Sequence, residues 1–183
     1  LGSGGAIEMT NIVRFLTVDI VPAPLRGGDL ADVGMWSNLA DWAGVLLLDQ
    51  ALPGMIAALL LTQIALVATG ILALALFPLI SKKFFGPVPR TIAHVFLVVL
   101  RSTPELILAY IFLQLWGPSM LPAIVALSLH NGAIIAHLMG RYSDEVKLRP
   151  DSPKGLNLYG FEVVPRIYGQ FLAFLFYRWE VIM

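Results

Sequence analysis

The chain contains no cysteine. Disulfide frameworks, thiolate metal sites and thiol catalysis are therefore excluded, and redox compartment is unreadable. Charge is also scarce. Asp, Glu, Lys and Arg make up 13% of the 183 residues, about half the ~25% of a soluble domain. Twelve basic and 12 acidic side chains cancel, so no net field draws in nucleic acid or another polyanion. No Gly-rich phosphate loop ending in Lys-Ser/Thr is present, so the chain does not bind and split ATP itself. His-Glu-x-x-His and Gly-x-Ser-x-Gly are absent as well, and no repeat recurs at a fixed period.

What is present is apolar. Hydrophobic residues reach 58% and mean hydropathy is +0.81, which predicts an integral membrane protein of the all-α class, a multi-span transmembrane helix bundle. Residues 50–81 carry no charge, and in residues 106–140 only His130 and His137 could ionise. A span needs about 20 apolar residues. The first run predicts one long span from about Leu52 to Ile80. The second holds a turn at Trp116-Gly117-Pro118, followed by a span from about Pro122 to Gly140. Before that turn, Thr103 as N-cap with Pro104 and Glu105 reads as a helix start. A helix from Pro104 to Trp116 would be only about 20 Å long. The span must therefore continue backwards through Thr91–Leu100, with a break or kink at Pro104. A last apolar stretch, Ile167–Tyr177, is too short to be a complete ending, so the chain reads as truncated at its C-terminal end.

Basic residues mark the cytoplasmic side. Residues 1–50 carry Arg14 and Arg26 against six acidic residues, whereas 81–105 carry four basic residues and 141–166 carry five. The N-terminal segment and Trp116 are then outside, and the Lys82 and Arg141–Arg166 segments inside. Residues 1–50 read as an external or interfacial N-terminal segment, with 11–49 interfacial or irregular, and 51–183 as the transmembrane domain with a cytoplasmic coupling loop over 141–166.

Three constellations stand out. Arg101 and Glu105, four apart, could neutralise each other across the Pro104 break, where freed amides and a positive helix end would face an anion; the plainer reading is a leaflet-level helix start with Arg101 snorkelling. His130 and His137, two turns apart, share a helix face with Asn131 beside them. They line either a pathway or bonds to neighbouring helices, while Gly132, Ala136 and Gly140 form a separate small-residue packing face. In the loop 141–166, Ser152-Pro153 predicts a short helix start, and Leu156, Leu158, Tyr159 and Phe161 give an apolar surface suited to a partner's groove or a membrane.

Arg101-Ser102-Thr103-Pro104-Glu105-Leu106, Ala126-Leu127-Ser128-Leu129-His130-Asn131-Gly132, Val164-Pro165-Arg166-Ile167-Tyr168-Gly169-Gln170-Phe171 and Tyr177-Arg178-Trp179-Glu180 together resemble the permease subunits of binding-protein-dependent ABC importers, in the phosphonate/phosphite branch. The resemblance covers about residues 55–183. It implies a bacterial inner-membrane, multi-pass subunit that imports a small anionic solute, most closely a phosphonate or related phosphorus compound. It implies a homodimer in the lipid bilayer, a separate ABC ATPase that binds the ATP, a periplasmic or lipoprotein solute-binding protein, and no cofactor, metal or catalytic residue on this chain. A cytoplasmic coupling motif of the form E-A-A…G…L-P would place Glu145, Ser152, Gly155, Gly160, Val164 and Pro165 against the ATPase. Ser152 stands where the family has glycine, Gly155 and Gly160 are displaced, and no Ala-Ala follows Glu145. The pathway residues would be Arg101, Pro104, Glu105, His130 and Asn131. Two other classes compete: an intramembrane, lipid-modifying enzyme using His130, His137 and Glu105 as acid/base groups, and a purely structural membrane subunit.

Overall fold

A computed structural model describes residues 9–26 and 32–182. No strand occurs among the described residues; the protein is an all-α membrane-helix protein. By its contacts the chain divides into two units, residues 1–57 and 58–183.

In the first unit, α1 (Met9–Arg14) runs on as a π-helical turn to Asp19. α2 (Val33–Val45) starts where the Asp32 carboxylate accepts the Gly34 amide at 2.8 Å, a side-chain N-cap. It continues through a π-helical segment, Leu46–Ala51, into α3 (Leu52–Leu76). The segment over 11–49, expected to be interfacial or irregular, is mostly helical in its described parts, with irregular backbone at Ile20–Pro22. No Pro or Gly stops the apolar run from Val45 to Leu52, and the single charge there, Asp49, does not break a helix. The helix that passes as a membrane span is accordingly long, Val33–Leu79.

The boundary of the second unit falls within α3. α4 (Pro87–Ser102) begins after Gly86 with proline at its first position, where a missing N–H costs nothing. α5 (Glu105–Trp116) follows after a 90° bend, so α4 and α5 form either one broken span or a re-entrant loop. The expected break is present, but its chemistry differs. The Thr103 hydroxyl donates back to the Val99 carbonyl at 2.9 Å instead of capping α5. Pro104 cannot continue α4 and disfavours helical backbone at the residue before it. Gly117, at φ 79°, ends α5 in a conformation that side chains rarely adopt. α6 (Leu121–Glu145) is the second helix that qualifies as a span, and α7 (Val164–Ile182) closes the described chain.

The core lies around α6. Phe77, Leu97, Ile135, Met139, Ile167 and Phe171 are all buried. The small-residue face meets the later part of α3 and its following turn. A Cβ on Gly132 would lie 3.0 Å from the Leu72 Cβ, and one on Gly140 only 2.2 Å from the Ile80 Cγ1. That close approach is what small residues permit between membrane helices. Outward, large apolar side chains are bare: Val67, Ile71, Val95, Leu106 and Tyr110 are each more than half exposed. Exposed apolar surface on this scale suits hydrocarbon better than water.

Candidate functional site

The turn after α3 is fastened to the end of α6. Asp144 accepts the Ser81 hydroxyl at 2.8 Å and the Lys82 amide at 2.7 Å, while Ser143 donates to the Ser81 oxygen at 3.0 Å. The Lys83 ammonium donates to the Ser143 carbonyl. Burial holds the Lys83 pKa below its ordinary value, with the Asp144 charge pulling the other way. These bonds fix one wall of a cleft of about 740 Å³.

α4 supplies Arg90, His94 and Arg101 to that cleft, residues spaced by four and seven so that they share one helix face. α6 supplies His137 and Arg141, four apart, and then Asp144 and Glu145. The His94 and His137 rings meet at 5.0 Å between centroids. His137 is 4% exposed, and its Nδ1 has no hydrogen-bond partner. Lys82, Arg90, Arg101 and Arg141 set four fixed cations against the two carboxylates.

A second cavity, about 350 Å³, opens at the bend. Pro104, Glu105 and Leu106 meet His130 and Asn131 of α6 and Arg178 of α7 there. The His130 Nδ1 lies 3.0 Å from the Thr103 carbonyl, so the ring braces the break; the Asn131 amide donates to the Leu127 carbonyl at 3.0 Å within its own helix. Four of the five residues expected on a pathway therefore converge. Arg101 does not: it faces the larger cleft, and it forms no ion pair with Glu105, contrary to the expected neutralisation. The two residues lie on either side of the 90° bend and line different cavities, and Arg178 is a cation that shares the Glu105 cavity. The acid/base trio is split as well, with His130 and Glu105 in one cavity and His137 in the other.

The segment after α6 is built around one carboxylate. Glu162, 1% exposed, is paired with Arg149 and with Arg166 at 2.7 Å, and Arg166 also donates to the Lys147 carbonyl at 2.5 Å. The Glu162 hydrogen bond and charge raise the Arg149 pKa above its ordinary value. Ser152-Pro153 does not start a helix. The Ser152 hydroxyl donates to the Arg149 carbonyl at 2.6 Å in a turn, and helix resumes only after Gly155, at φ 64°. A π-helical segment, Leu158–Val163, then leads into α7. The four apolar residues of this segment divide. Leu158 is buried, and Tyr159 stacks on Phe77 at 5.5 Å while its hydroxyl donates to the Leu74 carbonyl at 3.1 Å. Leu156 and Phe161 stay 88% and 77% exposed. Glu145, Gly160 and Pro165 are exposed too, Val164 is half-buried, and a side chain on Gly160 would meet nothing within 4 Å.

Arg90, His94, Arg141 and Arg178 are the residues that reading the sequence missed. The signal was present as the four- and seven-residue spacing of Arg90, His94 and Arg101, but His94 lies outside the charge-free runs that drew attention to the other two histidines. No group of three or more His, Asp or Glu able to hold a metal occurs among the described residues.

Compared with known proteins, the chain is 31% identical over 102 residues to the phosphite transport system permease protein PtxC of Stutzerimonas stutzeri. The match covers 51% of this chain and 36% of that relative, so this chain spans about a third of its length. No family model matches, and no solved structure matches. The similarity is to a transport permease, in keeping with apolar helices of membrane-spanning length.

Proposed function

We propose that this chain is a transmembrane permease subunit of an ABC importer, carrying a small anionic solute, most closely a phosphonate or related phosphorus oxyanion. The observation that carries the reading is the similarity over 102 residues to a phosphite permease. Two features of the molecule support it. The two clefts gather arginine, lysine and histidine along the helices α4, α6 and α7, and ionisable groups in membrane proteins mark solute paths. The segment 141–166 also presents Leu156 and Phe161 bare beside the Glu162 ion pairs, an apolar knob on a braced base that suits a partner's groove.

In this reading the basic segments face the cytoplasm of a bacterial inner membrane. Two copies form the pathway, an external binding protein delivers solute, and a separate ATPase docks on the 141–166 segment through Glu145, Ser152, Gly155, Gly160, Val164 and Pro165. Closure of the ATPase moves that segment, and the rigid helices attached to it rock between outward and inward access. Pro104, Glu105, His130 and Asn131 line the path at the α4–α5 break, and Arg101 adds its charge from the neighbouring cleft.

The test is Pro165→Ala combined with Gly160→Leu. Both sites are exposed, so insertion and folding should survive, while ATP hydrolysis should no longer drive uptake. Normal coupled uptake by the double variant would remove the docking role. The intramembrane-enzyme reading is disfavoured by the separation of His137 from Glu105 and His130; replacing both histidines by Gln should leave part of the transport intact.

A further inference from the structure

From the cleft between α4 and α6 we infer that this chain holds a second anion site, distinct from the cavity at the bend, which takes a tetrahedral phosphorus oxyanion of charge about −2. Three observations converge on it. The first is charge: Lys82, Arg90, Arg101 and Arg141 face two carboxylates, leaving two uncompensated positive charges. One of those carboxylates, Asp144, is already occupied by the Ser81 hydroxyl and the Lys82 amide. None of the four cations forms an ion pair among the described residues, and unneutralised cations gathered in a cleft focus a field that concentrates anions.

The second is donor geometry. Arginine presents a planar fork that matches two oxygens of a phosphoryl group at once. Here three arginines line one cleft from two helices, Arg90 and Arg101 from α4 and Arg141 from α6.

The third is His137. Its ring is 4% exposed and lines the cleft, yet its Nδ1 has no partner. A buried polar atom left unbonded destabilises the fold, and an oxygen of a bound anion would relieve that cost. A volume of about 740 Å³ leaves ample room for a phosphorus oxyanion and its waters.

Two sources share this chemistry: a free oxyanion, which under the permease reading is cargo held at the inner mouth, and the phosphodiester headgroup of an anionic lipid. Only the assignment to cargo rests on the proposed function; the site itself stands on the geometry of α4 and α6.

The experiment uses the whole chain in nanodiscs and titrates inorganic phosphate and methylphosphonate by calorimetry. One set of discs is phosphatidylcholine alone, and the other contains phosphatidylglycerol. Native mass spectrometry of retained lipid is run on both. Saturable binding in phosphatidylcholine that Arg90→Gln/Arg141→Gln weakens at least tenfold supports the site with a free anion as occupant. Phosphatidylglycerol retention that the same variant abolishes, with no binding of the free anions, supports it with a headgroup. Arg90→Lys/Arg141→Lys, which keeps the charge but loses the forks, should bind between the parent and the Gln variant, which separates lost charge from lost folding. Absence of both free-anion binding and selective lipid retention overturns the inference, as does binding that is unchanged in the Gln variant. Because no ATPase is present, failure here leaves the transport reading untouched, and failed uptake with intact binding would count against transport alone.

Discussion

Gly140→Ala isolates the contact on which the bundle's closeness depends. The added methyl would lie 2.2 Å from the Ile80 Cγ1, 2.5 Å from its Cδ1 and 3.0 Å from the Phe77 carbonyl oxygen. Carbon atoms rest at about 3.5–4.0 Å, so the two Ile80 carbons stand about an ångström or more too close. The neighbours have little freedom to yield, since Ile80 is 7% exposed and Phe77 fully buried, and the carbonyl is backbone. Overpacking costs about 1–3 kcal/mol, and so tight a contact belongs at the upper end. Replacing glycine by alanine within a helix returns about 1 kcal/mol, leaving a net loss of about 2 kcal/mol. Gly132→Ala supplies the control, because its methyl would meet the Leu72 Cβ at 3.0 Å and a carbonyl at 3.4 Å. There the smaller clash, about 1 kcal/mol, should cancel the helical gain. Reversible unfolding of both variants in mixed detergent micelles reads the difference, and adding Ile80→Ala should restore part of what Gly140→Ala loses. Equal stabilities, or a Gly140→Ala protein more stable than the parent, would refute the packing argument.

Glu162→Gln should loosen the 147–166 segment without unfolding the bundle, because two guanidinium groups lose the charge that gathers them; faster amide exchange confined to that segment would show it. Tyr159→Phe forfeits its bond to the Leu74 carbonyl, worth about 1 kcal/mol at neutral pH. Burial raises the Tyr159 pKa above its ordinary 10.0. The stability tied to its neutral form is therefore complete below pH 10.0 and lost as pH rises through the folded-state value. The Phe variant should accordingly unfold with a shallower alkaline slope, and parallel slopes would contradict this. His130→Ala removes the brace on the Thr103 carbonyl and should broaden the distribution of α4–α5 angles. Spin labels on introduced cysteines can measure that without background, since the chain has none of its own.

The helices were legible wherever a single cause acts alone. The charge-free run around α3 and the Pro104 break could be read from residue type, because burying charge in hydrocarbon and placing proline in a helix carry large local penalties. The small-residue face of Gly132 and Gly140 was legible for the same reason. Residues 33–51 were not, since Trp36 and Trp42 suggest an interface while the absence of proline lets the helix run on through Gly44. Ser152-Pro153 misled because the local cap-plus-proline signal competes with the Glu162 ion pairs, and partners 13 residues apart cannot be found by local spacing. The larger cleft needed the third dimension. Arg90 and Arg141 lie on different helices, and only the packing of α4 on α6 brings their charges together.

The central claim is that the segment following α6 takes force from a nucleotide hydrolase. Phe161, 77% exposed at its surface, is the place to ask. A cysteine at that position, cross-linked in living cells, should capture one partner, identified by mass spectrometry as an ABC ATPase, with a yield that changes when nucleotide hydrolysis is blocked. Cross-links to lipid or to copies of the same chain, with no hydrolase among the products, would contradict the account.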